Sequence, residues 1–485
     1  MKRREFLKAL AGLSVGASAP VEVWGAAIKA GSPDLRVGVL SDIHLYALPG
    51  DKMVYGQTMF RKALEYFRLR EVDGVLVAGD MANTGNELEH RAIAETWFGV
   101  FPDGKLPNGS PVVNLMHYGD HDSERRIWLE VEKKFREYCA KSGTPMPCTT
   151  TDPANQGPVW ERYYREKWSP IQVKQVKGYT FVLAHFMAKT VGWNEGLDKV
   201  LAGADVAGDK PFFFSQHRAY RNTPLAKWGP DAGRNGKVLA NYPNCVAFCG
   251  HTHYTLTDDA GAVWKGPFTA INTGSLLNQA CDYGRENGVV PSWYQNDPNA
   301  ESQMSDVMAS NVHAGWVMNV YGKLIVLERR DFGSGLSLGP DLVFTVGERE
   351  RDHTKDEPPV FAPGSVTVTQ VSGVDRKKRP TEQLRVEFPS APSSARTPRA
   401  KEYRVCAYAA NAELIKEKLV FSQKTCYPEQ LDVGRVCCLF SIAELRGAKG
   451  VTFTVEPLDC WGNAGTKLVL RGEWSCGSGE KKNVS

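Results

Sequence analysis

The 485-residue sequence lacks the features that mark several special classes of protein. Outside its N-terminal segment it has no apolar run of 18 residues, so we expect no transmembrane segment in the mature chain. The formal net charge is only +4, which argues against nucleic acid as the main partner. None of the 11 cysteines forms a CxxC pair, so a zinc ribbon is not expected. The remaining composition is that of an ordinary globular protein with about two to four domains.

The N-terminal segment has a basic start followed by a weakly apolar stretch rich in alanine and glycine. It resembles a twin-arginine export signal, and the matching residues are Arg3, Arg4, Phe6, Leu7 and Lys8. This resemblance implies a signal peptide over residues 1–28, export of the folded chain by the twin-arginine translocase, and a periplasmic or secreted location. The alternative is an amphipathic first helix of the mature fold.

Residues 29–345 alternate short β-rich runs with segments of helical periodicity. The strand-like runs are LRVGVL, GVLVAG, PVVNLMH, YTFVLAH, PFFFSQ and CVAFC, and WVMNVYGKLIVLERR reads as a hairpin. Met59, Ala63 and Phe67 recur at helical spacing between two of these runs. The alternation predicts an α/β domain in which helices cover a central sheet.

The character of the sequence changes after residue 345. Residues 346–364 are charged and proline-rich, and we interpret them as a linker. Residues 365–476 contain short β-branched and aromatic runs separated by turn residues, which predicts an all-β sandwich. The stretch VEPLDCWGNAG weakly resembles a late strand and turn of a fibronectin type III module. We expect the tail, residues 477–485, to be disordered.

Carboxylates and imidazoles stand where strand-like runs of the α/β segment end. In open α/β sheets this edge is where ligands bind. The residues in these positions are Asp42, His44, Asp80, Asp120, His121, Asp122, His217, His251 and His253. Five runs share this feature, so we interpret it as a site rather than as chance, although a structural polar network or a degenerate binding site would share the pattern.

The residue types in this set indicate a particular kind of ligand. Imidazoles and carboxylates without thiolates favour Mn, Fe or Zn over Ca or Mg. The candidates are too numerous for one ion. We therefore expect two divalent or trivalent transition metal ions that share a bridging carboxylate.

The blocks SDIH, AGD, GDHD, SQH and CGHTH resemble, in this order, the five motif blocks of the calcineurin-like metallophosphoesterases. The family's blocks are, in order, DxH, GD, GNH followed by Asp or Glu, a single His, and GHxH. The resemblance spans about residues 35–345 and includes INTGSL after the last block. It implies a four-layer α/β metallophosphoesterase domain, with central β-sheets flanked by helices.

The resemblance also implies a role for each residue. One metal would be bound by Asp42, His44, Asp80 and His253, and the second by Asp80 as the bridge together with Asp120, His217 and His251. His121 would be the general acid, with Asn83 or Asp122 as candidates to orient its ring. These roles imply hydrolysis of a phosphomonoester or phosphodiester by a metal-activated hydroxide.

Two positions leave alternatives open. The family usually has Asn where this chain has Asp120, and from the sequence we expect Asp120→Asn to retain both metals and to alter activity. His185 also ends a strand-like run and competes with His217, which we prefer because its spacing to His251 matches the family better.

The long aromatic segment after the last block could form a wall of the substrate pocket. Its candidate substrate contacts are Tyr283, Arg285, Trp293 and Tyr294, and the alternative is a surface insertion. The motifs define the reacting phosphorus and leave the substrate open among nucleotide, lipid and sugar phosphoesters. The alternative function is a non-catalytic cell-surface binding or adhesion protein built on the same metal-binding fold.

Overall fold

The structure is a computed structural model that describes residues 31–47, 51–277, 279–282, 285–286, 312–374, 379–393, 397–422, 434–446 and 450–472. The chain divides into two compact units. The N-terminal unit comprises the described residues of Ala26–Ala280 and Ala309–Arg351, and the C-terminal unit those of Cys281–Met308 and Asp352–Ser485. The later boundary falls within the predicted linker. The predicted signal peptide and the predicted tail lie outside the described residues.

The N-terminal unit consists of strands and helices in alternation. Its strands are β1 (Leu35–Leu40), β2 (Gly74–Ala78), β3 (Val113–His117), β4 (Ile171–Val176), β5 (Tyr179–Ala184), β6 (Phe212–Ser215), β7 (Cys245–Cys249), β8 (Val263–Lys265), β9 (Thr269–Asn272), β10 (Ala314–Tyr321), β11 (Leu324–Asp331) and β12 (Leu342–Thr345). Its α-helices are α1 (Asp51–Leu69), α2 (Glu87–Val100), α3 (Asp120–Ser123), α4 (Arg125–Ser142), α5 (Pro153–Tyr164), α6 (Leu197–Gly203), α7 (Arg234–Leu239) and α8 (Asp259–Ala262). The predicted mixed α/β character of this region is confirmed.

The strands of this unit form two six-stranded sheets. In the first sheet the order is β12-β11-β10-β1-β2-β3, with β1, β2 and β3 parallel and the other pairs antiparallel. In the second sheet the order is β4-β5-β6-β7-β9-β8, with β5, β6, β7 and β9 parallel. Each sheet therefore has a parallel part whose carboxyl edge can carry a site.

The two sheets share one apolar core. Phe181, Phe213 and Phe248 of the second sheet and Leu76 and Trp316 of the first belong to the same buried cluster. The opposite face of the first sheet packs on α1, α2 and α5, and that of the second sheet packs on α6 and α7. Successive side chains of a strand point to opposite faces of the sheet. A strand whose two faces are both buried is therefore apolar throughout, and β2, with the sequence GVLVA, is an example.

Local sequence features place the helices against the sheets. The side chain of Asn86 caps α2 by accepting hydrogen bonds from the backbone amides of Leu88 and Glu89 at 3.0 and 3.2 Å. Phe67 of α1 packs where Gly38 of β1 has no side chain, because a Cβ there would lie 2.5 Å from its ring. Among the helices of the described residues, none has both the length and the apolar composition needed to cross a membrane.

The C-terminal unit is built from strands. They are β13 (Thr367–Val374), β14 (Pro380–Pro389), β15 (Glu402–Tyr408), β16 (Leu414–Phe421), β17 (Arg435–Ser441), β18 (Val451–Leu458) and β19 (Leu468–Gly472). One antiparallel sheet has the order β13-β14-β17 and the other β16-β15-β18-β19. Phe388 and Phe440 of the first sheet and Tyr403 and Phe453 of the second belong to one buried cluster. The predicted all-β character of this region is confirmed.

Candidate metal centre

The predicted metal ligands follow strands of both sheets in the N-terminal unit. In chain order they are Asp42 and His44 after β1, Asp80 after β2, Asp120 after β3, His217 after β6, and His251 and His253 after β7. The backbone amide of His251 donates to Oδ2 of Asp42 at 3.0 Å, so the loops that follow the two sheets touch each other. The shared edge therefore collects side chains from distant parts of the sequence.

Several of these residues have a left-handed backbone. The φ values are 52° for Asp42, 46° for His44, 50° for Asp80, 69° for His251 and 49° for His253. This region is rare for residues other than glycine and costs on the order of 1–3 kcal/mol each. Strained residues of this kind cluster at functional sites.

The first group of converging side chains consists of Asp42, His44 and His253. Nε2 of His253 lies 3.1 Å from Oδ1 of Asp42 and 3.1 Å from Nε2 of His44. Asp42 is completely buried, whereas His253 is partly exposed, so the group opens to solvent on one side.

The second group consists of Asp80, Asp120, His217 and His251. Nε2 of His217 lies 3.1 Å from Oδ2 of Asp80 and 3.3 Å from Oδ1 of Asp120. Nδ1 of His251 lies 3.2 Å from Oδ2 of Asp120. Both groups combine imidazole nitrogens with carboxylate oxygens, which suits Mn, Fe or Zn.

Asp80 connects the two groups. Its Oδ2 lies 3.1 Å from Nε2 of His217 in the second group and 3.6 Å from Nε2 of His44 in the first. One carboxylate therefore lies within reach of both sets of ligands. This is the position that a bridging ligand between two cations requires.

Two buried atoms at the centre of the second group have no hydrogen-bond partner among the described residues: Nε2 of His217 and Oδ1 of Asp120. Buried polar atoms are normally satisfied, so an orphaned pair needs an explanation. Nδ1 of His217 lies 2.8 Å from the carbonyl oxygen of Ala78. Because a carbonyl oxygen can only accept, Nδ1 donates there, and Nε2 is the ring nitrogen left for a metal. The donor set thus fits a cation.

The charges of the group members act strongly on one another. Burial alone would raise the pKa of Asp42, but the imidazoles of His253 and His44 hold that pKa well below its ordinary value. His251 and His217 lower the pKa of Asp120 in the same way against the effect of burial. Burial would lower the pKa of His217, but Asp80 and Asp120 raise it well above the usual range. The neighbouring imidazoles thus favour the ionised forms of Asp42 and Asp120 even though both carboxylates are buried.

His121, the predicted general acid, borders both groups. Its Nδ1 donates to the carbonyl oxygen of Asn83 at 2.8 Å, and its backbone amide donates to Oδ1 of Asp80 at 2.8 Å. The main chain of Asn83 therefore orients the ring. Burial lowers the pKa of His121, but the charges of Asp80 and Asp120 outweigh that effect and raise it. His121 also forms a possible ligand group with His44 and Asp80, so its role as an acid has to be separated from a role as a ligand.

Asp122 fastens the two loops that carry Asp80 and Asp120. Its carboxylate accepts from the backbone amides of Gly119, Met81 and Ala82 at 2.7, 3.2 and 2.9 Å. Asp122 is thus a positioning residue and does not orient the ring of His121. Gly119 is needed at this point because a Cβ there would collide with the carboxylate and the backbone nitrogen of Asp80.

Arg218 contacts the second group and was not predicted from the sequence. Its Nε and Nη2 donate to Oδ2 of Asp120 at 3.1 and 2.8 Å, and Nη2 also donates to Glu124 at 3.2 Å. The only signal in the sequence is its position directly after His217 in SQHR.

Three other histidines of the N-terminal unit bond to protein groups through at least one ring nitrogen, although Nε2 of His185 has no hydrogen-bond partner among the described residues. His185, the competitor of His217, is buried and accepts from the backbone amide of Tyr118 at 3.1 Å. His117 lies 2.8 Å from Oγ of Ser215, and His90 lies 3.1 Å from Oγ1 of Thr150. None of the ligand groups formed by the described residues includes these three.

The candidate substrate contacts have different positions. Arg285 belongs to the C-terminal unit, where its Nε and Nη2 donate to the carboxylate of Glu402 at 2.6 and 3.0 Å and its guanidinium lies over the ring of Phe421. Its role in substrate binding stays a prediction. Tyr283, Trp293 and Tyr294 lie outside the described residues.

Comparison with known families addresses the N-terminal unit. Residues 35–255 match the family model of the calcineurin-like phosphoesterases. The matched segment is less than half of the chain and contains all seven predicted metal ligands. It supports a calcineurin-like phosphoesterase domain in this part of the chain and, through that family, a metal-dependent hydrolase.

Solved structures of low identity are also similar. A dimetal phosphatase from Danio rerio has 14% identity and a TM-score of 0.34, with 65% of this chain and 100% of that chain covered. A predicted phosphoesterase from Streptococcus pneumoniae has 10% identity and a TM-score of 0.26, with 64% and 97% covered. Vacuolar protein sorting 29 from Cryptosporidium parvum has 14% identity and a TM-score of 0.27, with 64% and 97% covered. The comparison with curated protein sequences gives no match.

Proposed function

We propose that the N-terminal unit is a dinuclear-metal phosphoesterase that hydrolyses a phosphomonoester or phosphodiester. The observation that carries the proposal is the position of Asp80, whose Oδ2 lies within 3.6 Å of imidazole nitrogens from both ligand groups. A carboxylate in such a position serves a pair of cations better than a single one. The match of residues 35–255 to a phosphoesterase family supports the reaction class.

The chain offers a complete set of ligands for each ion. Asp42, His44, Asp80 and His253 would hold one cation, and Asp80, Asp120, His217 and His251 the other. When bound by these residues, a pair of cations would supply Lewis-acid chemistry, which is a water activated as nucleophile and charge neutralisation at the phosphoryl oxygens. The strained loops and Asp122 keep the ligands in place before substrate arrives.

His121 would supply the proton that the leaving oxygen needs. Its Nδ1 donates its hydrogen to the carbonyl oxygen of Asn83. Nε2 is therefore the nitrogen that would donate a proton to the leaving oxygen. A positioned imidazole of this kind contributes about 10²–10⁴-fold to the rate. His121 is partly exposed, as a group in contact with substrate must be.

The N-terminal segment bears on where the enzyme works. We propose that residues 1–28 direct export through the twin-arginine translocase and that the enzyme works in the periplasm or outside the cell. The C-terminal unit would then be a fibronectin type III-like β-sandwich attached to the catalytic unit. Replacing Arg3 and Arg4 by lysine should retain the chain in the cytoplasm, as fractionation and immunoblotting would show, whereas export of that variant by the same route would contradict the signal.

The central experiment joins metal content with turnover. The purified full chain is loaded with Mn, Fe or Zn, its metal content is measured by mass spectrometry, and aryl phosphomonoesters and bis-aryl phosphodiesters are offered in parallel. About two metals per chain and turnover of at least one class, reduced in His121→Ala, support the enzyme. Two metals per chain without turnover of either substrate class would favour the alternative function, a non-catalytic binding or adhesion protein. Fewer than two metals per chain would contradict the dinuclear centre.

A further inference from the structure

Arg218 and Asp120 form an ion pair at the edge of the second ligand group. Two nitrogens of the guanidinium, Nε and Nη2, approach the same carboxylate oxygen, Oδ2, at 3.1 and 2.8 Å. Asp120 is buried, and the side chain of Arg218 is only 17% exposed. The pair is therefore largely shielded from water, where charge interactions are stronger than at a surface.

The other carboxylate oxygen of Asp120 faces the ligands. Oδ1 lies 3.3 Å from Nε2 of His217, and neither atom has a hydrogen-bond partner among the described residues. Oδ2 also lies 3.2 Å from Nδ1 of His251. The guanidinium thus occupies one side of the carboxylate and leaves the opposite oxygen for a cation.

We propose that Arg218 is a positioning residue that makes Asp120 act like a neutral, single-oxygen metal ligand. Asparagine offers one oxygen and no charge at this position. Asp120 paired with Arg218 offers one free oxygen, Oδ1, and a charge that the guanidinium cancels. This inference rests on the dinuclear centre proposed above and goes beyond it by explaining how the chain accommodates an aspartate there.

Other contacts keep Arg218 in place for this role. Nη2 donates to Glu124 at 3.2 Å, and the guanidinium lies over the ring of Phe186 with its carbon 5.3 Å from the centroid. Such contacts restrict a long side chain and lower the entropy lost when it orients a ligand. Second partners of metal ligands typically change metal affinity by about 10–100-fold when they are removed.

The charge balance gives an expectation opposite to the one drawn from the sequence. The ligand carboxylates of Asp42, Asp80 and Asp120 are partly balanced by Arg218. Asp120→Asn alone leaves the guanidinium without its main counter-charge beside the second cation. We therefore expect Asp120→Asn to weaken the second metal site, and Arg218→Gln added to it to restore that site.

The test is a double-mutant cycle on the full chain, read by metal binding rather than by turnover. Metal-free wild type, Asp120→Asn, Arg218→Gln and the double variant are titrated with Mn²⁺ in a calorimeter. The weaker Mn²⁺ site should lose about tenfold or more in affinity in Asp120→Asn, and the double variant should recover most of that loss. Arg126→Gln, which removes an exposed arginine that also pairs with Glu124, is the matched control and should bind like wild type.

The possible results separate the two proposals. Failure of the wild type to bind two Mn²⁺ ions contradicts the dinuclear centre itself. Two sites in the wild type, but a double variant that binds no better than Asp120→Asn, overturns the role of Arg218. An Asp120→Asn variant whose weaker Mn²⁺ site keeps the wild-type affinity also overturns the role of Arg218. Far-ultraviolet circular dichroism verifies folding, and Arg218→Met in the Asp120→Asn background replaces the double variant if that protein does not fold.

Discussion

Oδ2 of Asp80 and Nε2 of His217 lie 3.1 Å apart, although the two residues follow strands of different sheets. Asp80 comes after β2 in the first sheet and His217 after β6 in the second. Their contact therefore depends on how the two sheets pack through the shared core. The candidate metal centre exists only because the packing brings two strand edges together.

Asp80→Asn should have the largest effect on the metals. Loss of the shared carboxylate removes a ligand from both groups, so we expect the content to fall from about two metals per chain to less than one. Activity should fall by more than about 100-fold, the upper end of the effect of an indirect metal contact. Mass spectrometry of the purified protein checks the content, and Glu95→Gln at an exposed site is the control. Retention of both metals would show that Asp80 is not the bridge.

His121→Gln should separate an acid from a ligand. As general acid, His121 matters most for a poor leaving group. We therefore expect a loss of about 10²-fold or more with an alkyl phosphate and of less than about tenfold with 4-nitrophenyl phosphate. Metal content should stay unchanged. Equal losses with both substrates, accompanied by a missing metal, would instead assign His121 to the ligand group that it forms with His44 and Asp80.

Asp122→Ala should destabilise the fold. The substitution leaves the buried amides of Gly119, Met81 and Ala82 without their acceptor. Each unsatisfied donor costs about 1–3 kcal/mol, and partial relaxation leads us to expect a total loss of about 2–4 kcal/mol in the free energy of unfolding. Urea titration of metal-free protein measures it. Asp122→Asn keeps one acceptor oxygen and should lose less, and equal stability of all three proteins would refute the role of Asp122.

Glu89 should make stability depend on pH. Burial raises its pKa to about 8, against hydrogen bonds from Thr84 and Ala47 that lower it. Between about pH 4.5 and 8 the folded state holds a proton that the unfolded state has lost, so this contribution to stability falls as pH rises. Glu89→Gln should remove this slope, which is on the order of 1 kcal/mol per pH unit.

The control for this prediction lies on the same helix. Glu95 of α2 is exposed, so Glu95→Gln should keep the wild-type pH dependence. The free energy of unfolding is measured by urea titration at intervals between pH 5 and 9. A wild-type slope in Glu89→Gln would show that Glu89 is ionised in the folded protein at neutral pH.

Local sequence determined the elements that carry the ligands. LRVGVL and CVAFC are strands with the predicted bounds, because a run of apolar and β-branched residues that ends in polar ones can bury both faces and then must leave the core. The residues that the motif blocks marked as ligands also converge in the two groups of side chains, and their binding of metals stays a prediction. Shorter strands such as β8, and β4 with its exposed polar residues, escaped prediction because their patterns are weak.

Only the tertiary structure decided how these elements combine. The alternation of strands and helices is equally consistent with one central sheet, and the division into two sheets depends on strand pairings between distant residues. The same holds for Arg218, whose position beside Asp120 follows from the packing of loops after β3 and β6. Local composition determines where a strand ends. Long-range packing of the core determines which residues from other parts of the chain lie beside that end.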